Sequence, residues 1–238
     1  MSIWYTFSEN RVEGGPCVGK RSVPPAVLAG FLAAEGTLYA AFLALDLTGR
    51  GDCAVPVKYG GVLLCLLFAL ACALRGGDRL VLPALALTAG ADWFLLVQND
   101  NYPVGIALFL CVQSVYYLRL RLSGTPAAWP LRAGLALAAG LALYALRLAS
   151  PLNLLSALYF SQLLSNTVLA WTKRDRRRRI FAAGLTLFVG CDLCVGLFNV
   201  LSAGHPLYRA VSVGMWLFYL PSQVLIVLSA LPGSAEPS

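Results

Sequence analysis

The chain has 238 residues, 59% of them hydrophobic and only 12% charged, with a mean hydropathy of +0.74. A soluble domain is nearer about half apolar and about a quarter charged, so these values exclude an ordinary soluble globule and specify a polytopic membrane protein. The formal charge of +7, from 18 Lys+Arg against 11 Asp+Glu, then reads as membrane topology rather than as a nucleic-acid footprint.

Residues 1–22 are polar and hold no apolar stretch of the kind a secretory signal needs. They read as a cytoplasmic N-terminal segment. A membrane span takes about 20 mostly apolar residues. The sequence predicts eight, near 24–46, 56–74, 80–98, 102–120, 131–148, 151–171, 180–201 and 207–230, within a transmembrane domain over 23–231 followed by a short cytoplasmic tail, 232–238. Gly, Pro and Asn clusters separate them, such as Gly49-Arg50-Gly51-Asp52, Asn99-Asp100-Asn101 and Gly204-His205-Pro206. The expected fold is therefore an all-α bundle of about eight transmembrane helices.

Of the 18 cations, 14 fall on one side of these spans, including the run Lys173, Arg174, Arg176, Arg177, Arg178 and Arg179; Arg50, Lys58, Arg147 and Arg209 fall on the other. The positive-inside rule places the richer side, and both termini, in the cytoplasm of a cell-membrane protein. The Lys173–Arg179 block reads first as a topology anchor, with anionic headgroups as a second use.

Two acids lie within the apolar runs. Asp92 sits in LVLPALALTAGADWFLLV and Asp192 in IFAAGLTLFVGCDLCVGLFNVL, each two residues after a glycine. A carboxylate in hydrocarbon costs a few kcal/mol even on lenient scales, so such residues mark function by default. At the helical rise both lie roughly 18–20 Å from the basic side. Gln113 and Tyr219 reach a similar depth from the opposite side, and Lys58 approaches it from the start of the second span. Glu35, with Tyr39 one turn on, lies mid-way along the first. Polar stripes follow helical spacing at Tyr159, Gln162 and Asn166, and at Ser212, Trp216, Tyr219 and Gln223. The third and fourth spans resemble the seventh and eighth, which is the pattern of a parallel four-plus-four repeat. A polar pocket within the bundle is the expected result. Interhelical hydrogen bonding is the simpler reading for Asn153, Asn166 and Ser222.

The seven cysteines are odd in number and lie mostly in apolar runs, which argues against a disulfide framework. Cys191 and Cys194 read as small packing residues. The single histidine, His205, stands in a loop, so no metal or other cofactor is expected.

Val57-Lys58, GADWFLLV with GIALFLCVQSVYYLRL, and GCDLCVGLFNV with WLFYLPSQVLIVLS resemble stretches of the lysoplasmalogenase-like, YhhN-type membrane proteins. Lys58, Asp92, Tyr116 or Tyr117, Asp192 and Gln223 fall on that family's Lys, Asp, Tyr, Asp and Gln. The chain departs from the pattern at Ala91, where the family has glycine, and at Gln113, where it has a histidine; glutamine cannot shuttle a proton. The resemblance implies hydrolysis of the vinyl ether of a lysoplasmalogen, with membrane lipids and a lysolipid as partners and no nucleic acid. Nothing in the pattern sets an oligomeric state. Such chemistry needs one neutral acid and one carboxylate, as glycoside cleavage does. Asp192 is expected as the acid and Asp92 as the group that steadies the cation or activates water, with the reverse also open. Lys58 would hold Asp92 ionised or contact phosphate. Gln113, Tyr117, Tyr219, Gln223 and Glu35 would line the substrate site. Buried acids and a repeat equally suit a proton-coupled transporter, and Gln113 suits a non-catalytic lipid-binding relative.

Overall fold

A computed structural model describes residues 22–202 and 204–232. The described residues form eight helices: α1 (Pro25–Leu47), α2 (Gly51–Leu74), α3 (Val81–Asp92, continued by a π-helical segment Trp93–Gln98), α4 (Tyr102–Leu122), α5 (Trp129–Ala145), α6 (Pro151–Ala170), α7 (Arg176–Val200) and α8 (Tyr208–Leu228). They match the eight expected spans. The expected N-terminal segment and tail lie, apart from Ser22 and Pro232, outside the described residues.

Six of the helices are long and apolar enough to cross a membrane: α1, α2, α3 with its π extension, α4, α7 and α8. The other two are shorter or more polar than the sequence reading anticipated. α5 is apolar but only 17 residues long. α6 has 20 residues and carries Tyr159, Ser161, Gln162, Ser165, Asn166 and Thr167 along its length.

The helix ends follow from local chemistry. Proline stands in the first turn of α1, α4, α5 and α6, where its missing N–H costs nothing. The side chains of Ser150 and Asp175 cap α6 and α7 by accepting from the backbone N–H of Asn153 and Arg178. Asn99 and Asn101 adopt left-handed conformations (φ 51° and 53°) that turn α3 sharply into α4. Asparagine tolerates this backbone better than most residues.

Helices α2, α3, α4, α6, α7 and α8 pack in that cyclic order and close into a ring, with α1 laid across α2 and α8 and α5 laid against α6. This neighbour pattern fits the four-plus-four repeat. The α3–α4 and α7–α8 pairs correspond, as do α2–α3 with α6–α7, and α1–α2 with α5–α6. The core of Val62, Cys65, Phe68, Leu85, Phe109, Tyr116, Leu163, Phe181, Leu185, Phe188 and Ile226 fills the ring.

One end of the ring is tied by cations. The Arg119 guanidinium pairs with Asp78 at 2.6 Å, donates to the hydroxyl and carbonyl of Ser229 at 2.9 and 3.1 Å, and lies 4.2 Å from the Phe181 ring centre. Arg178 donates to the hydroxyls of Ser123 (2.6 Å) and Thr125, and Lys173 donates to the Ser123 carbonyl at 2.5 Å. These contacts join α4, α7, α8 and the loops between them on the basic face.

The α7–α8 interface depends on close backbone approach. A Cβ at Gly184 would lie 2.9 Å from Ile226 Cγ1 and 3.1 Å from the Ser222 carbonyl oxygen. Gly184→Val should therefore destabilise the protein by about 1–3 kcal/mol in detergent unfolding. Gly134→Ala, with nothing within 4 Å of the added carbon, should be neutral or slightly stabilising. Equal stability of the two variants would show that the α7–α8 contact tolerates separation.

Candidate functional site

The ring closes around polar groups. Asp92 ends the α-helical part of α3, where the backbone passes into the π segment. π-helical turns are uncommon and recur at functional positions. Here the change falls at the buried acid itself, which is 5% exposed. Tyr219 of α8 donates its hydroxyl to Asp92 Oδ2 at 2.6 Å, joining two residues that the sequence places at one depth. Charge-assisted bonds of this length are the strong class. Tyr59 of α2 donates to the Ala89 carbonyl, three residues before Asp92, at 3.3 Å.

Asp192 repeats this arrangement in α7. Tyr159, from the preceding ring helix α6, stands beside it. The tyrosine of α2, Tyr59, is bonded to the Ala89 backbone, whereas Tyr159 of α6 faces the Asp192 carboxyl. The two acids differ in their bonding. The Tyr159 hydroxyl faces the Asp192 carboxyl, yet neither it nor Asp192 Oδ2 makes a hydrogen bond of good geometry among the described residues. Asp192 as a whole is partly exposed whereas Asp92 is enclosed. The tyrosines beside the two acids are linked by a chain of packed rings, Tyr219–Phe188–Phe109–Tyr159, with centroids 5.5, 5.6 and 5.7 Å apart.

Further unpartnered atoms lie within the bundle: Glu35 Oε2, Thr88 Oγ1, Gln113 Nε2, Tyr116 Oη, Ser222 Oγ, and both amide atoms of Gln223. Each buried polar atom without a partner costs about 1–3 kcal/mol. Together they make an interior that favours water or the polar part of a ligand.

Three expected site residues have other partners. Lys58 forms an ion pair with Asp46 at 2.7 Å across the α1–α2 turn, and not with Asp92 or Glu35. Its ammonium lies 5.0 Å from the Trp216 ring centre, and Trp216 packs edge-on against Tyr219. Lys58 thus reaches Asp92 only through two aromatic rings. Tyr117 lies against Trp129 and under the Arg132 guanidinium, 4.3 Å from its ring centre; its neighbour Tyr116 is the one turned inward. Glu35 accepts from the Cys65 thiol at 3.2 Å and borders an open groove of about 310 Å³ between α1 and α8. Gln113 and Gln223 are fully enclosed.

Arg132 was not expected here, because a cation at the start of a span reads as a topology signal. It is 4% exposed and donates to Gln162 and Asn166, each at 2.7 Å. Asn166 in turn donates to the backbone and side-chain oxygens of Gln113, at 2.9 and 3.0 Å. A line of hydrogen bonds therefore runs from α5 through α6 to α4 and fixes the Gln113 amide with Nε2 left over. Among the described residues all cysteines are free, and no group of three or more His, Cys, Asp or Glu side chains is placed to hold a metal.

Replacing Arg132 by Lys removes the planar fork that serves Gln162 and Asn166 together. Arg132→Lys should lose about 1–3 kcal/mol of stability, and Tyr117→Phe, which keeps the stacked ring, should change little. A neutral Arg132→Lys in thermal unfolding would show that the line of hydrogen bonds does not hold α5 to the bundle.

A family model described as the YhhN family matches residues 53–230, from the start of α2 to the end of α8. No curated protein and no solved structure matches the chain significantly. The matched span covers the whole six-helix ring and both aspartates, and the chain belongs to the YhhN family.

Proposed function

We propose that this protein is a membrane hydrolase that cleaves the vinyl ether of lysoplasmalogen-type lipids, with Asp192 as the acid and Asp92 as the carboxylate. The observation that carries this reading is the asymmetry of two buried aspartates, each beside a tyrosine. Asp92 accepts a short hydrogen bond from Tyr219, whereas the buried Asp192 Oδ2, beside Tyr159, makes no hydrogen bond of good geometry among the described residues. Family membership and the likeness of the motifs to lysoplasmalogenases support it.

In the proposed reaction Asp192 gives its proton to the outer carbon of the C=C–O unit. The double-bond electrons form the new C–H bond, and the ether oxygen shares the resulting positive charge as an oxocarbenium ion. Asp92, held by Tyr219, faces that charge and takes a proton from the water that adds to the cation. The hemiacetal then collapses to an aldehyde and a glycerol hydroxyl, with one water consumed. Acid and base exchange protons as in glycoside hydrolysis. Gln113 Nε2, Tyr116 Oη and Gln223 offer unpartnered groups for the glycerol and water. Gln113 replaces a histidine of the family pattern without supplying a proton, so the full burden of proton transfer falls on the aspartates. On the positive-inside rule the basic face and both termini are cytoplasmic.

The test is aldehyde release from a defined lysoplasmalogen by purified protein. Wild type should be active. Asp92→Asn and Asp192→Asn should each lose about 100-fold or more, Tyr219→Phe roughly ten-fold, and Tyr144→Phe, on the exposed face of α5, nothing. Folded wild type that releases no aldehyde would exclude this substrate. Full activity in either asparagine variant would exclude the two-carboxylate mechanism.

A further inference from the structure

We infer that the arginine-rich start of α7 forms a binding site for one phospholipid with an anionic headgroup. This inference is independent of the proposed hydrolysis. A groove of about 440 Å³ opens on the basic face between the end of α6, the first turns of α7 and the last turns of α8. Arg174, Arg176 and Arg179 line one part of it, and Trp171, Ile180, Ala183 and Leu225 line the rest.

The cations of this run divide by use. Lys173 and Arg178 are spent inside the protein, on Ser123 and Thr125. Arg174, Arg176 and Arg179 are exposed, and their side chains make no hydrogen bond or ion pair among the described residues. Arg176 and Arg179 also stand in the first turn of α7, where the helix dipole disfavours positive charge. Topology alone would be served by cations anywhere in the loop. These three are instead gathered on the rim of a groove, at an electrostatic cost that a bound anion offsets.

The other lining residues argue for a lipid over a soluble anion. Trp171 is anchored across α7 by its indole N–H, which donates to Thr186 Oγ1 at 3.1 Å. An amphipathic ring of this kind suits the level of lipid headgroups. Leu225 borders both this groove and the α1–α8 groove that holds Leu32, Gly36 and Val224. Apolar surface therefore continues from the arginines along α8 into the depth of the bilayer. A phosphate at the arginines with an acyl chain along Ile180 and Leu225 fits both halves; free phosphate fits only one.

Trp171 supplies the probe. Purified full-length protein is titrated with brominated phosphatidylglycerol or brominated phosphatidylcholine, and quenching of Trp171 is read as the difference between wild type and Trp171→Phe. Phosphatidylglycerol should quench at the lower lipid fraction. Each of Arg174→Ala, Arg176→Ala and Arg179→Ala should weaken its apparent affinity roughly five-fold, and the triple variant should abolish the preference. Arg177→Ala, outside the groove lining, should keep it. Inorganic phosphate at matched ionic strength should not displace the lipid. Equal quenching of wild type by the two lipids overturns the site whatever the variants do. A preference that survives loss of the three arginines overturns their role, and displacement by phosphate overturns the lipid assignment.

Discussion

A polar group in hydrocarbon must be paired or enclosed, and the packing of this bundle follows from where its intramembrane acids and amides go. Most of the ring helices bring such a group inside the bundle: Asp92 on α3, Gln113 and Tyr116 on α4, Tyr159 and Asn166 on α6, Asp192 on α7, and Tyr219 and Gln223 on α8. Lys58 on α2 is instead paired with Asp46 of α1. The two helices left outside, α1 and α5, each contribute one buried ionisable side chain, Glu35 and Arg132, reaching in from the flank. The outward surfaces carry the leucines and aromatics that suit lipid.

Enclosure leaves the two aspartates in different company. Asp92 is sealed and hydrogen-bonded, and its place at the change from α to π winding fixes it against Tyr219. Asp192 stands beside Tyr159 with a buried oxygen that makes no hydrogen bond of good geometry among the described residues. Corresponding places in α3 and α7 therefore do not carry the same hydrogen bonding.

The eight helices and the shared depth of Asp92 and Tyr219 were legible because apolar run length and helical rise are strong constraints. Side-chain facing was less so. Tyr116 and Tyr117 are adjacent aromatics about 100° apart around α4, and nothing local decides which turns inward. Lys58 has its partner in Asp46, which lies at the end of α1 and is brought close only by the α1–α2 reversal. Arg132 opens the most generic of the spans, and its two amide partners, Gln162 and Asn166, sit on another helix, α6. The π segment has no pattern of its own in WFLLVQ; it arises from how α3 packs. What the sequence could not show was thus pairwise and tertiary, while depth and polarity were already present in single runs.

The central claim is the division of labour between the aspartates, and infrared spectroscopy of the reconstituted protein addresses it directly. A protonated carboxylic acid absorbs apart from a carboxylate. A carboxylic-acid band that is lost in Asp192→Asn and kept in Asp92→Asn is the predicted result. A band that instead follows Asp92, or that neither substitution removes, would contradict the account.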